Sequence, residues 1–290
     1  MLISTVCRYE DFFSDWYVKW IPRLSLASPT IDPSSPGGTA QRKAWEWCAI
    51  AQALEERGML APGKSGCGFA VGTEPLPSAF AARGVQILAT DQPVEGTSEW
   101  AIGNQHSSSR EALHRPDIIA RPEFEQRVRF RPVDMRDLAL PWGETYDFVW
   151  SSCSLEHLGS LDAGMAYVLN AMELVKPGGV AVHTTEFNLS SNTATLDSGS
   201  SVIYRRQDLE RLDTRLRACS CGMARLDLYG GDHQHDLEFD YPPYFTHGRQ
   251  HVKLLLDGHI STSVLMIIRK GQAADGMSVI PDTGPSAALF

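Results

Sequence analysis

One stretch near the start of the chain decides the fold: Gly66-Cys-Gly-Phe-Ala-Val-Gly-Thr-Glu-Pro-Leu-Pro-Ser-Ala-Phe-Ala-Ala-Arg-Gly-Val-Gln-Ile-Leu-Ala-Thr-Asp91. Its glycines indicate a tight turn, the residues after Pro77 favour a helix that ends at Gly84, and an apolar strand follows. The strand finishes at Asp91, which lies 23 residues after Gly68. An acid at about this spacing is typical of the tip of a second parallel strand, where it accepts hydrogen bonds from an adenosine ribose.

The rest of the chain continues this alternation of strand and helix. Short apolar runs predict further strands at 128–133, 146–150 and 180–184, and the spacing of apolar residues between Leu161 and Leu174 predicts a helix. Strands that alternate with helices indicate a parallel sheet covered on both faces. A helix near 206–218 and strands near 224–229 and 263–269 complete the pattern.

The glycine-rich turn does not match the dinucleotide-binding fingerprint G-x-G-x-x-G. Val71 stands at the position of the third glycine. A pyrophosphate also needs free backbone amides at a helix start, and Pro75 and Pro77 remove two of them. The turn is therefore better suited to a nucleoside without phosphates than to NAD.

Two further stretches carry a family resemblance. They are Tyr146-Asp-Phe-Val-Trp-Ser-Ser-Cys-Ser-Leu-Glu-His-Leu-Gly159 and Leu174-Val-Lys-Pro-Gly-Gly-Val-Ala-Val-His183. With the first stretch, they make residues 64–270 similar to the class I S-adenosylmethionine-dependent methyltransferases. The resemblance implies an α/β fold of three layers, with a Rossmann-like seven-stranded sheet that is mostly parallel and has an antiparallel last strand. The turn Asp257-Gly258 fits the reversal into that strand, although an ordinary hairpin has the same sequence.

The expected organisation has three parts. Residues 1–60, which contain an aromatic cluster, form an N-terminal helical brace or lid. Residues 61–270 form the methyltransferase domain, with insertions at about 92–127 and 231–258. Residues 271–290 are rich in Gly, Ala, Ser and Pro and are expected to be a disordered tail.

The resemblance also implies which residues hold the cofactor, S-adenosylmethionine. Gly66, Gly68 and Gly72 form the loop against its methionine part, and Asp91 holds the ribose. The adenine and the amino-acid end are assigned to residues after the third and fourth strands: Asp134, Met135, Ser151 and Ser152. This chain departs from the family's first motif, because Lys64-Ser65 replaces the usual acid before Gly66 and Ala70 replaces a common glycine. Glu74 is the candidate for the missing carboxylate.

Histidines at strand ends suggest the chemistry of transfer. A hydroxyl acceptor must lose a proton, and imidazole is suited to take it. His157 is the first candidate base and His183 the second, although each has an alternative structural role in ordering its loop or strand. Oxygen is therefore the expected acceptor atom, on a small molecule or a carbohydrate. The expected acceptor contacts lie in the second insertion and are Tyr241, Tyr244 and His251.

A polar loop at 231–236 contains His233 and His235 and precedes Glu238 and Asp240. These residue types bind divalent metals. An exposed acidic loop is the more common meaning of such a run, and no metal is predicted.

Composition excludes several classes of function. The net charge is −9, from 26 basic and 35 acidic residues, so the sequence predicts no nucleic-acid partner. Six scattered cysteines without a C-x-x-C pair argue against a zinc ribbon or a disulfide framework. No apolar run is long enough to span a membrane, and the first residues do not resemble a signal peptide, which favours a cytoplasmic location. Two alternatives stay open: an NAD(P)-dependent oxidoreductase on a similar sheet, and a non-catalytic module that binds a cofactor or a partner.

Overall fold

The computed structural model describes residues 1–26, 40–93, 105–138 and 143–271. The predicted tail, apart from residue 271, lies outside these residues. The helices are α1 (Asp15–Arg23), α2 (Arg42–Glu56), α3 (Leu76–Ala81), α4 (Arg121–Arg127), α5 (Leu161–Glu173) and α6 (Arg206–Ala218). The strands are β1 (Ser4–Val6), β2 (Ser65–Phe69), β3 (Gln86–Asp91), β4 (Val128–Pro132), β5 (Tyr146–Ser152), β6 (Val175–Asn188), β7 (Cys221–Met223), β8 (Leu226–Asp227), β9 (Leu254–Leu256) and β10 (His259–Lys270).

The described strands form a single sheet in the order β4-β3-β2-β5-β6-β10-β1-β8. The pairs from β4 to β6 are parallel, and β10 is antiparallel to β6, with Arg269 opposite Val180 and Ser261 opposite Asn188. The predicted fold class is confirmed by this mostly parallel sheet with its antiparallel last strand. The sheet has ten strands among the described residues, because short strands pair with β10 beyond its partner β6.

Hydrophobic residues fill two layers, one on each face of the sheet. The alternation of side chains in β5 shows the division, because Phe148 and Trp150 pack with α1 to α4 while Val149 packs with α5 and α6. The predicted helix between residues 161 and 174 is confirmed as α5. Ser160 begins it, since its Oγ accepts a hydrogen bond from the amide of Ala163 at 3.1 Å.

Two predicted loop glycines belong to the sheet instead. Gly66 and Gly68 lie within β2, so the prediction that they line the cofactor loop is wrong. A Cβ atom at Gly66 would lie 2.3 Å from the ring of Phe148, and one at Gly68 would lie 2.3 Å from the ring of Trp150. These glycines leave space for two aromatic rings of the neighbouring strand, which is a packing role.

The N-terminal region contributes more than helices. β1 pairs with both β10 and β8, so this part of the chain enters the sheet. The aromatic residues Tyr17 and Trp20 of α1 are buried in the core, and Trp20 donates a hydrogen bond to Gln52 of α2 at 3.0 Å. α2 packs in turn across β5, β6 and β10. The N-terminal region is thus attached to the sheet through β1 and α2.

The last strand is entered through a hairpin. Asp257 and Gly258 have positive φ values of 44° and 80° and join β9 to β10, as expected of a tight two-residue turn. Within the described residues, no helix combines the length and the apolar character that crossing a membrane requires.

Candidate functional site

A cavity of about 460 Å³ opens at the carboxyl ends of β2, β3 and β5, where open α/β sheets place their ligands. Its volume is in the usual range for small-molecule sites. The cavity is lined by Lys43, Trp47, Ala70, Val71, Gly72, Thr73, Glu74, Asp91, Gln92, Gln105, His106, Val133, Asp134, Met135, Arg136, Ser152, Cys153, Ser154, His157 and Leu158. Seven of the residues predicted from sequence are in this set. Gln105 and His106 come from the first predicted insertion, whose residues 94–104 are outside the described part of the chain.

The turns after β2 and β5 hold unusual backbone conformations. Ala70 has φ +47° and Cys153 has φ +43°, a left-handed region that residues other than glycine rarely adopt. Gly72, with φ +50°, has no space for a side chain, because a Cβ there would lie 2.2 Å from the carbonyl oxygen of Gln105. Strained residues of this kind tend to cluster at functional sites. Both Ala70 and Cys153 line the cavity.

Asp91 ends β3, as the sequence predicts, and joins two walls of the cavity. Its Oδ2 accepts hydrogen bonds from the amides of Gly72 at 3.1 Å and Ser107 at 2.9 Å, and its Oδ1 accepts one from the amide of Gln92 at 2.8 Å. Burial raises the pKa of Asp91, and these amides oppose the rise. A carboxylate has about four acceptor positions, and amides of the described residues occupy three of them.

Glu74 lies next to the same turn and is almost fully buried. Its Oε1 accepts a hydrogen bond from the indole Nε1 of Trp150 at 2.6 Å. Burial raises the pKa of Glu74 to about 8, against the smaller opposite effect of Trp150. The side chain is therefore a neutral carboxylic acid at neutral pH.

Asp134 and Met135 follow β4 and line the cavity beside Asp91. Met135 is buried in the apolar layer. Asp134 is half-exposed and forms a bidentate ion pair with Arg136, at 2.6 Å for the shortest contact, which lowers the pKa of Asp134. An adenine amino group at Asp134 would share the carboxylate with this guanidinium.

The wall opposite the sheet comes from α2 and was missed by sequence reasoning. Lys43 and Trp47, one helical turn apart, line the cavity. Glu46, only 1% exposed, accepts hydrogen bonds from Lys43 Nζ at 2.8 Å, Ser152 Oγ at 3.0 Å and Ser263 Oγ at 2.5 Å. Burial alone would raise the pKa of Glu46, but Lys43 and Arg42 outweigh it and lower the pKa to about 2. In the sequence, Lys43 and Glu46 are three positions apart, which is also the spacing of ordinary ion pairs on the surface of a helix.

The two serines at the end of β5 face opposite sides of the sheet. Ser152 lies on the cavity side, next to Glu46. Ser151 is fully buried, and its Oγ forms a hydrogen bond with His183 Nδ1 at 2.8 Å. Ser151 is not among the residues that line the cavity.

His183 does not reach the cavity either, so the prediction that it is a base is wrong. Its side chain is fully buried beside the ring of Tyr167, on the face covered by α5. Burial lowers the pKa of His183 to about 3, which leaves the ring neutral. The geometry therefore favours the alternative that His183 has a structural role in the core.

His157 lies in the turn after β5, half-buried at the cavity wall. Its Nδ1 is 2.9 Å from the carbonyl oxygen of Ser200. A carbonyl only accepts, so Nδ1 carries the proton in this contact and the lone pair of the neutral ring is on Nε2. This tautomer is the one that a proton acceptor at Nε2 requires.

The three residues predicted to contact the acceptor lie away from the cavity lining. Tyr244 donates its hydroxyl hydrogen bond to the carbonyl of Leu255, Tyr241 stacks on His247, and His251 Nδ1 lies 2.8 Å from Asp240. Burial lowers the pKa of His251, against Asp240. These side chains are used in fixing their own segment, and the prediction of direct acceptor contact is not supported by their positions.

The predicted polar loop at 231–236 is also used internally. His233 stacks on the ring of Tyr9, with ring centroids 4.5 Å apart, and His235 packs edge-on against it. Within the described residues, one group of potential metal ligands lies close together: Cys153, Glu156 and Glu186. Arg42 forms a bidentate ion pair with Glu186, and Thr185 donates to Glu156 at 3.0 Å. The carboxylates of Glu186 and Glu156 therefore already accept hydrogen bonds from side chains of the protein.

Comparisons with known proteins concern the fold. No protein-family model matches the chain, and no curated protein sequence matches it. Among solved structures, an O-methyltransferase family protein from Burkholderia thailandensis is 13% identical with a TM-score of 0.44, over 80% of this chain and 60% of that one. Magnesium protoporphyrin IX methyltransferase from Synechocystis is 14% identical with a TM-score of 0.44, over 90% and 94%. An amino pentose methyltransferase from Micromonospora echinaspora is 15% identical with a TM-score of 0.43, over 76% and 94%.

The chain thus spans less than two thirds of the Burkholderia protein, and at these identities the similarities concern the fold alone. The strand order, with β10 inserted antiparallel beside β6, is a property of this chain itself. A mostly parallel sheet with an antiparallel last strand is what the resemblance to the class I methyltransferases implies. In its fold, the chain is a Rossmann-like α/β protein whose sheet has the form expected of that resemblance.

Proposed function

We propose that the protein transfers a methyl group from S-adenosylmethionine to a hydroxyl oxygen of a small molecule or a carbohydrate. The observation that carries this proposal is the junction at Asp91. A carboxylate at the tip of β3 is bonded to the amide of Gly72 in the turn after β2, so a strand-end acid and a tight glycine turn meet in one cavity. A strand-end acid beside a tight glycine turn is the arrangement with which open α/β sheets hold an adenosine ribose.

The cofactor end is assigned from the cavity lining. Asp91 offers its remaining acceptor position to a ribose hydroxyl, while Met135 packs on the adenine and Asp134 accepts from its amino group. The turn from Ala70 to Thr73 borders the methionine part, together with Glu74 and Ser152. Pro75 and Pro77 leave the start of α3 short of amide donors, which supports a ligand without pyrophosphate.

The acceptor end is assigned to the part of the cavity between α2 and the turn after β5. Trp47 offers an aromatic surface there and Lys43 an ammonium group, beside Ser154 and His157. These are groups that suit a polar ring such as a sugar or a phenol, because flat apolar contact and hydrogen bonding are combined. The N-terminal helical brace is in this proposal a wall of the acceptor site.

The residues have simple tasks, because the sulfonium supplies an already activated methyl group. His157 takes the proton of the acceptor hydroxyl at Nε2 and is held by the carbonyl of Ser200 through Nδ1–H. The resulting oxygen nucleophile forms the C–O bond as the C–S bond breaks, and the electron pair stays on sulfur. The walls of the cavity align the two partners and exclude water.

The cofactor assignment is tested by ligand-dependent stability. The product S-adenosylhomocysteine is expected to raise the melting temperature, since at 100 times its Kd a ligand adds about 2.7 kcal/mol to the free energy of unfolding. NAD is expected to leave it unchanged. Stabilisation by NAD without stabilisation by S-adenosylhomocysteine would replace the proposal with an oxidoreductase, and no effect of either ligand would favour a non-catalytic module.

The base assignment is tested with His157→Gln. We expect turnover to fall about 100-fold, because the hydroxyl loses its proton acceptor. The affinity for S-adenosylhomocysteine should stay within about threefold, since His157 is assigned to the acceptor end of the cavity. Transfer of a radiolabelled methyl group is measured with an acceptor found by screening phenols and sugars.

Saturation with the cofactor provides the control for His157. At one fixed pH and at a saturating concentration of S-adenosylmethionine, the loss of turnover in His157→Gln is expected to persist, because cofactor binding then no longer limits the rate. A variant that keeps full turnover, or one that loses cofactor affinity in proportion to turnover, contradicts the base role.

A further inference from the structure

Glu74 is a buried acid whose surroundings are incomplete. It lines the cavity, is only 4% exposed and, from the described residues, receives a single side-chain hydrogen bond, from Trp150 to Oε1. In the portion of the chain that the structure describes, no basic side chain forms an ion pair with it. A buried carboxyl group without a positive partner stays protonated unless a cation binds next to it.

The other two acids that line the cavity differ from Glu74 in this respect. Asp134 is paired with Arg136. Asp91 accepts three backbone amides. Each of these carboxylates is stabilised by the protein alone, so Glu74 is the cavity acid that a ligand cation can still satisfy.

We propose that Glu74 pairs with the α-ammonium group of the cofactor and releases its proton to solvent when the cofactor binds. The inference rests on the proposed function and adds the identity of the paired group. The ammonium group has three N–H donors and matches the carboxylate oxygen that Trp150 does not use, whereas a sulfonium has no donor to offer. The ammonium keeps its own protons, and the carboxyl proton passes to the buffer.

The charges around Glu74 determine the direction of the pH dependence. Burial has the largest effect and raises the pKa of Glu74. Lys43 of α2 lowers this pKa, whereas Asp91 of β3 and Glu46 of α2 raise it further. The pKa of about 8 in the empty site means that the carboxyl is neutral below that pH. Binding of a cation then releases a proton, so affinity increases with pH up to about 8 and levels off above it.

The experiment uses two adenosine ligands that differ in the amino-acid part. S-adenosylhomocysteine carries the α-ammonium group, and 5′-methylthioadenosine lacks it. Titration calorimetry in buffers of different ionisation enthalpy counts the protons released by each ligand. We expect about one proton for S-adenosylhomocysteine and about none for 5′-methylthioadenosine below pH 8, with the affinity for the former rising about tenfold per pH unit.

The test variant is Glu74→Gln, which keeps an oxygen for Trp150. Above pH 8 it is expected to bind S-adenosylhomocysteine about 10- to 100-fold more weakly, the usual effect of one charge-assisted hydrogen bond, and to release no proton. Its affinity for 5′-methylthioadenosine should be unchanged. The matched control Asp134→Asn should affect both ligands alike, since both contain adenine, and should leave the proton count as it is.

The outcomes separate the inference from the function on which it rests. If S-adenosylhomocysteine binds without proton release and Glu74→Gln binds it as tightly as the wild type, the inference is overturned while the proposed function stands. Equal losses for both ligands in Glu74→Gln would indicate a role in shaping the cavity and would also overturn it. If the wild type binds neither ligand, the proposed function itself fails.

Discussion

Replacing Glu46 with alanine is expected to lower the free energy of unfolding by about 2–6 kcal/mol, because two buried hydroxyl groups lose their acceptor at about 1–3 kcal/mol each. The carboxylate joins α2 to the end of β5 through Ser152 and to the interior of β10 through Ser263, and it neutralises Lys43. Without it, the hydroxyl groups lose their acceptor and the ammonium group its counter-charge. Urea unfolding followed by tryptophan fluorescence measures the change.

A matched control is available on the same helix. Glu55 has three basic partners, Lys19, Arg23 and Arg83, but its side chain is 24% exposed. Glu55→Ala should therefore lower the free energy of unfolding by no more than about 1 kcal/mol. If both substitutions have equal effects, burial is not what makes Glu46 important.

The pH dependence of stability provides a second check on Glu46. Its pKa in the folded protein is about 2, below its ordinary value of 4.5. The contribution of the carboxylate is therefore fully present above pH 4.5 and is lost as the pH falls toward 2. The difference in unfolding free energy between the wild type and Glu46→Ala should shrink over that range.

Replacing Asp91 with alanine is expected to weaken the binding of S-adenosylhomocysteine about 100- to 1,000-fold. One charge-assisted hydrogen bond to the ribose accounts for about 1.5–3 kcal/mol of binding free energy. The rest of the loss comes from the cavity walls, because the amides of Gly72 and Ser107 no longer share an acceptor. Titration calorimetry at constant pH measures the affinity.

Asp134 is the matched control for Asp91, since it follows the neighbouring parallel strand. It is half-exposed and already bound to Arg136, so Asp134→Ala should weaken binding by no more than about tenfold. If the effects of Asp91→Ala and Asp134→Ala are equal or reversed, the central position of Asp91 in the site is contradicted.

Local patterns in the sequence were sufficient for several elements of the fold. The apolar run that ends at Asp91, the helical spacing in α5 and the turn at Asp257-Gly258 each depend on neighbours within a few residues. Period and turn chemistry are readable at that range. Asp91, the main residue of the proposed site, could be predicted because it ends β3.

Other features required the contacts between distant segments. Gly66 and Gly68 resemble a ligand loop until the rings of Phe148 and Trp150 are seen against them. His183 and Thr184 are adjacent in β6, yet one faces α5 and the other Glu46, and the sequence of a fully buried strand has no alternation to show which is which.

The sequence by itself determined the class of fold and the strand ends that border the cavity, because these follow from short-range periodicity. Only the tertiary structure decided which acids in and next to the cavity are neutralised. Glu46 meets Ser152 and Ser263 across more than 100 residues of chain, and Glu74 has one indole as its side-chain donor. The charge state of a buried carboxyl depends on such neighbours, which spacing along the chain does not reveal.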